Sequence, residues 1–231
     1  MQRLLSGSLT ICALALALPA AAQVEYPPVP VEKAAYHWPV FSNEHVMVLR
    51  VYFPPGRGSN YHIHSLDQIS VQVEPGANAG QVWGEEPTPA RPGTKGQVSF
   101  TAYSKKKFIH KSTNTAATPY QNIVIALLKP KPAGLGPAAR PDGYVQVFDN
   151  ERARAWKLAL EPGQSVGPIT QSAPGLRVVI DGGEIAEIVS GQPDRGLGLR
   201  LGDFYWQEPG TTRGIRNIGT TRIEIAEFEL K

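Results

Sequence analysis

The feature that most restricts how this chain can fold is an internal repeat. Residues 41–64, FSNEHVMVLRVYFPPGRGSNYHIH, lie over residues 148–171, FDNERARAWKLALEPGQSVGPITQ, at a constant offset of 107. Phe41 falls on Phe148, Asn43 on Asn150, Glu44 on Glu151, Pro55 on Pro162 and Gly56 on Gly163. The closing blocks correspond as well. HKSTNTAATPYQNIVIALLK (110–129) is similar to RGIRNIGTTRIEIAEFELK (213–231), with Asn114 opposite Asn217. Two matching blocks in the same order point to a duplication, so the chain is expected to fold as two copies of one unit. Between them, PKPAGLGPAARPDG (130–143) is too rich in Pro, Ala and Gly for a helix or a central strand. The expected boundaries are a first unit over 36–130, a linker over 131–142 and a second unit over 143–231.

Each unit reads as β-structure. Short alternating runs recur (VMVLRVYF, ISVQV, NIVIALL, LRVVI, RIEIAEFEL), and no stretch carries a long 3.6-residue apolar period. With 23 Gly and 21 Pro, turn signals arrive every few residues. An all-β fold of two tandem jelly-roll barrels follows, since small antiparallel units of this kind close on themselves to remove exposed edges.

The first residues, MQRLLSGSLTICALALALPAAAQ, combine an early Arg3, an apolar run and small residues before Gln23. This is the pattern of a secretory signal peptide over residues 1–22, cleaved after Ala22. It implies a periplasmic or secreted protein with no stable membrane anchor after cleavage. Cys12, the only cysteine, falls inside that segment, so the mature chain has neither disulfides nor thiolate ligands. The formal charge of +3 drops to about +2 without Arg3, a balance that argues against nucleic acid as a partner.

One stretch carries chemistry. In GRGSNYHIHSLDQ (56–68), His62 and His64 are two residues apart, so on a strand they project from one face. The order is Gly56, then His62 and His64, then Gln68, with Gly76 further on. It resembles the first motif of the cupin superfamily, with Gln68 where that motif normally has glutamate. The second cupin motif is most complete in GDFYWQEPGTTRGIRN (202–217), with Arg213 at its histidine position. In the first unit only its tail remains, His110 and Asn114. The resemblance covers about residues 36–231 and implies a bicupin.

A bicupin of this kind would place His62, His64 and His110 around one divalent transition metal, Fe, Mn, Ni or Zn. Three imidazoles with open positions leave room for water, substrate or oxygen. Gln68 is a fourth ligand candidate. If Ile69, Val71 and Val73 fill the barrel, Gln68 points away from the metal; if Gln68, Ser70 and Gln72 line a wet cavity, it points in. Asp67 is expected in the turn. The positions opposite His62, His64, Gln68 and His110 are Ile169, Gln171, Gly175 and Arg213, so the second barrel is expected to lack metal ligands. Arg213 there either pairs with an acid such as Asp181 or Glu184 or binds a ligand carboxylate.

The remaining features are less directive. His37 and His45 read as exposed or hydrogen-bonded, and Lys105-Lys106-Lys107 as a solvated tip or a positive mouth drawing in an anionic ligand. Residues 77–96 read as a flap or an elongated hairpin, and the four tryptophans as core or interface. Because one fold hosts many chemistries, three functions stay open. The first is a ferrous dioxygenase acting on a small organic molecule. The second is a non-redox lyase or isomerase of a sugar acid or other carboxylate, with Tyr61 or Gln68 assisting. The third is a binding or structural protein without turnover. The resemblance also implies a homodimer.

Overall fold

In the computed structural model, residues 26–129, 140–210 and 212–231 are described. The expected signal peptide and most of the linker lie outside them. Apart from one 3-10 turn, Val31–Lys33, the regular elements among the described residues are strands. The first half contains β1 (Val29–Pro30), β2 (His37–Ser42), β3 (Val46–Phe53), β4 (His62–His64), β5 (Gln68–Pro75), β6 (Ala77–Val82), β7 (Arg91–Pro92), β8 (Val98–Thr101), β9 (Phe108–Asn114) and β10 (Tyr120–Leu127). The second half contains β11 (Tyr144–Asp149), β12 (Ala153–Leu160), β13 (Ser165–Thr170), β14 (Gly175–Asp181), β15 (Gly183–Ile188), β16 (Arg195–Leu199), β17 (Phe204–Gln207), β18 (Thr212–Asn217) and β19 (Ile223–Leu230).

The sheet orders repeat. One sheet of the first half runs β2-β3-β10-β5-β8, and its counterpart runs β11-β12-β19-β14-β17. The other runs β1-β4-β9-β6-β7 against β13-β18-β15-β16, so only β1 is unmatched. The 77–96 segment is the elongated hairpin of the two alternatives: β6 pairs with β7 and continues the sheet beside β9.

The residues that match in sequence do the same work in both halves. Asn43 Oδ1 accepts the N–H groups of His45 and Val46, and Asn150 Oδ1 those of Arg152 and Ala153. Gly56 and Gly163 both adopt positive φ, +70° and +80°, where a side chain would be strained. Asn114 and Asn217 are fully buried straps. Asn114 Nδ2 donates to the carbonyls of Phe53 and Thr118, and Asn217 Nδ2 to those of Leu160 and Thr221. Replacing Asn114 by alanine leaves these buried groups and the Ala77 N–H without partners, and is expected to cost roughly 2–4 kcal/mol in a urea unfolding curve.

The largest apolar cluster is not inside either barrel. Val46, Val48, Ile69, Val71, Val73, Ile123, Ile125 and Leu127 pack against Ala153, Ala155, Leu176, Val178, Ile180, Ala226, Phe228 and Leu230, sheet against sheet. The contacts are reciprocal: Phe41 meets Phe204 with ring centroids 6.0 Å apart, and Phe148 meets Phe100 at 6.0 Å. Such pairing is what an approximate two-fold axis between the barrels produces. His45 belongs to this interface, stacked on Trp206 at 5.9 Å. Asp67 also ties the barrels together, accepting the Ser104 N–H at 2.9 Å and pairing with Arg152 at 2.6 Å. Opposition to ionisation from burial is outweighed there by the Ser104 bonds and Arg152, which lower the carboxyl's pKa.

Candidate metal centre

With Ile69, Val71 and Val73 committed to the interface, the alternation of β5 turns Gln68 and Ser70 into the first barrel. The same alternation on β4 sends His62 and His64 inward, and antiparallel pairing sets His110 directly beside His62. The ring centroids of His62 and His110 are 4.5 Å apart, those of His62 and His64 4.9 Å. One ring nitrogen from each of the three lies within 4.8 Å of the others. The three imidazoles named from sequence therefore do converge.

Their orientation is set by hydrogen bonds on the far side. His62 Nδ1–H donates to the Asn60 carbonyl at 3.0 Å, and His64 Nδ1–H to Gln68 Oε1 at 3.0 Å. Each bond leaves an Nε2 lone pair free, the arrangement that prepares a histidine for a metal. Gln68 thus points in, but its amide oxygen is spent on orienting His64, a different task from the ligand role considered above. The Nε2 atoms of His64 and His110 are 3.0 Å apart. At that distance one neutral ring donates its Nε2–H to the lone pair of the other, a proton that a bound metal ion would displace. Burial keeps the rings neutral. Burial first, and then the charge of neighbouring rings, lowers His64 to about 3 and His110 to about 2. His62 is lowered by burial against the opposing bond to Asn60. Neutral imidazoles, two of them buried and held by Nδ1–H bonds, fit a divalent transition ion with N bonds of about 2.0–2.1 Å.

Three further residues take definite places. His37 is buried at the cavity wall, its ring 4.6 Å from His62, with Nδ1–H donating to the Ala35 carbonyl at 2.9 Å. Burial, then the His62 charge, lowers its pKa to about 4. Its place on β2, far from the motif in sequence, gave no signal beyond residue type. Tyr61 precedes His62 and therefore faces the other way, packed edge-on to Trp83 at 4.8 Å with the Lys111 ammonium over its ring. Tyrosines do line the cavity, but they are Tyr103, stacked on His64 at 4.8 Å, and Tyr120. Lys105 pairs with Glu151 at 2.7 Å on the surface, as in the solvated-tip alternative, while Lys107 lines the larger cavity on the other side of His64.

The inner pocket has a volume of about 150 Å³ and shares Gln68, Ser70, Tyr103, Tyr120 and Asn122 with an outer chamber of about 210 Å³. A more apolar cavity of about 570 Å³ touches the other side of His64 and Gln68, and carries Glu32 and Lys107.

The second barrel is filled at one end only and keeps a cavity of about 280 Å³ beside Arg177, Glu187 and Arg213. Ile169 pairs with Arg213 in the same register as His62 with His110. One end of its interior is closed by Leu158, Ile169, Ile185, Ile215, Ile223 and Ile225. The other end holds a buried ion network. Glu227 accepts from Arg177 Nε at 2.9 Å, Arg213 Nη2 at 3.2 Å and the Tyr144 hydroxyl at 2.9 Å, while Glu187 pairs with Arg177 at 2.7 Å. Arg213 is thus paired with an acid, as in the first of the two expectations, but with Glu227 and Glu187 in place of Asp181 or Glu184. Asp181 is held by Lys95 and Arg222 instead. The signal was available: Glu227 and Glu229 continue the inward-facing row of Ile223 and Ile225. Gln171 donates to the carbonyls of Ala173 and Phe228, which makes it a structural strap. Arg140, at the end of the expected linker, packs over Trp156 at 4.4 Å and reaches Glu229 at 3.2 Å.

No protein-family model matches the sequence, and no curated protein matches it. Solved structures do. AerE from Microcystis aeruginosa is similar with a TM-score of 0.56 and 12% identity, over 86% of this chain and 98% of that one. A salicylate 1,2-dioxygenase from Pseudaminobacter salicylatoxidans gives 0.53 at 13% identity, over 80% and 70%. A cupin 2 conserved barrel domain protein from Leptotrichia buccalis gives 0.50 at 10%, over 84% and 88%. The fold is that of the cupins. Within it the chain has two tandem jelly-roll barrels, the first with a three-histidine cluster that could hold a metal.

Proposed function

We propose that the first barrel binds one divalent transition metal through His62, His64 and His110, and works as an oxygen-dependent enzyme on a small organic molecule. The observation that carries this reading is the convergence of three neutral imidazoles, two of them buried, with no carboxylate among them. A dioxygenase among the proteins of similar fold supports it. When bound, the ion would supply the redox and Lewis-acid chemistry. The chain's own residues supply the rest. The Gln68 amide and the Asn60 carbonyl hold two rings in place. Tyr103 covers His64, and Val51, Phe53 and Val124 form an apolar floor that keeps water out. Ser70 and Asn122 offer hydrogen bonds to a substrate entering from the outer chamber.

Protein loaded with Fe(II) is expected to consume oxygen with a substrate from a panel of small phenols, diketones and thiol acids, while zinc-loaded protein does not. Equal turnover with zinc would overturn the redox reading. It would favour the lyase or isomerase alternative, for which neutral His37 on the cavity wall is the proton acceptor at hand. The signal-peptide pattern of residues 1–22 supports a periplasmic or secreted location, tested by fractionating cells that express the full-length chain.

A further inference from the structure

The charge of the walls narrows the ligand further. Among the described residues that line the outer chamber, none is Asp, Glu, Lys, Arg or His. The outer chamber is walled by amides and hydroxyls, among them Gln72, Gln97, Ser99 and Thr101. A ligand carboxylate there would leave water without a guanidinium or ammonium to receive it, which is unfavourable. Asn122 has an arrangement that asks for a donor. Its Nδ2 donates to the Tyr120 hydroxyl at 3.2 Å, yet its Oδ1 is buried without a hydrogen-bond partner. The Gln72 amide is by contrast already engaged, Nε2 donating to the Pro75 carbonyl at 2.7 Å, so its carboxamide is fixed in the wall. Rigid, neutral donors and acceptors at short spacing match a molecule bearing several hydroxyl groups, each of which can donate and accept at once. The 570 Å³ cavity differs, being more apolar and holding one acid and one base.

We propose that the outer chamber of the first barrel selects a neutral, multiply hydroxylated ligand of monosaccharide size over its carboxylate counterpart, with Asn122 Oδ1 accepting a ligand hydroxyl. This deepens the metal-dependent reading above, because the ligand would reach the three histidines through the five residues that the two spaces share. It sets aside the sugar acid of the lyase or isomerase alternative and the anionic ligand that the lysine run suggested.

The test compares D-glucose with D-glucuronate, which differ in one carboxylate, by calorimetry and saturation-transfer NMR on the full chain. Metal-free protein is used first, so that no ion can attract the acid. Glucose is expected to bind at least about tenfold more tightly than glucuronate, and Asn122→Leu to weaken glucose by about tenfold with an unchanged melting temperature. Should Asn122→Leu lower the melting temperature, Ser99→Val, further out in the chamber, provides the same comparison. Equal affinity for both sugars, a preference for the acid, or no detectable binding of either overturns the proposal. Metal content measured on the native protein separates the two readings. A glucose-selective barrel that never holds metal fails the metal assignment alone, and a metal-loaded barrel indifferent to charge fails this one alone.

Discussion

Protein in which His62 and His64 are both replaced by alanine is expected to emerge from purification almost free of transition metal, where the unaltered chain holds about one ion. Two of the three inward nitrogens disappear, and His110 alone cannot retain a divalent ion against buffer. The loss should be graded through the outer ring of contacts. Gln68→Ala keeps all three imidazoles but removes the acceptor that holds His64 Nδ1, and is expected to weaken metal binding about 10–100-fold. Elemental analysis and a competition titration with a chromogenic chelator read both effects. A double variant that retains metal at the level of the unaltered protein would remove the assignment of the site. Circular dichroism should show the same β content in all three proteins, since neither β4 nor β9 depends on these rings for its backbone pairing.

The largest stability effect is expected in the other barrel. Glu227 is buried among Arg177, Arg213 and Arg140, and it also accepts the Tyr144 hydroxyl. Removing one partner of such a cluster leaves uncompensated charge in a low-dielectric interior, so Glu227→Ala should cost about 3–5 kcal/mol. In a domain of this size that is a fall of roughly 10 °C or more in melting temperature. The pH dependence has a definite sign. Burial opposes ionisation of Glu227, but Arg177, Arg213 and Arg140 outweigh it and hold the carboxyl at about 2, below the ordinary 4.5. In the range between these values the unfolded chain binds more protons than the folded one. The contribution is therefore complete above pH 4.5 and is lost as the pH falls towards 2. Acid unfolding followed by tryptophan fluorescence should show a shallower decline over that range for Glu227→Gln than for the unaltered chain. Parallel curves would mean that Glu227 does not carry this linkage.

Much of the architecture was legible in the sequence because the duplicated residues are the ones that shape the backbone. Asn43, Gly56 and Asn114 each make a turn or strap that only their residue type can make, and each reappears in the second half. The histidine pair was legible for the same reason, since a two-residue spacing on a strand has one geometric meaning. What stayed hidden depended on which face of each strand was inside. QISVQV is equally consistent with either face packed, and nothing local says that its apolar row is needed to bind a second barrel. His37 and Tyr103 come from parts of the chain with no motif at all, brought to the cavity by sheet pairing alone. Tyr61 was misplaced in favour of its neighbour because proximity in sequence puts consecutive strand residues on opposite faces.

The sequence by itself determined that this protein is two copies of one β unit, and that His62 and His64 share a face, because turn chemistry and strand period act over a few residues. Only the tertiary structure decided that the apolar rows face each other between the barrels, leaving the first interior polar enough for Gln68 to hold His64. It also decided that the second interior is lined by aliphatic side chains at one end and a Glu227-centred ion network at the other. The physical reason is that burial is a property of whole sheets packed together, and an alternating strand does not specify which of its two faces that packing will cover.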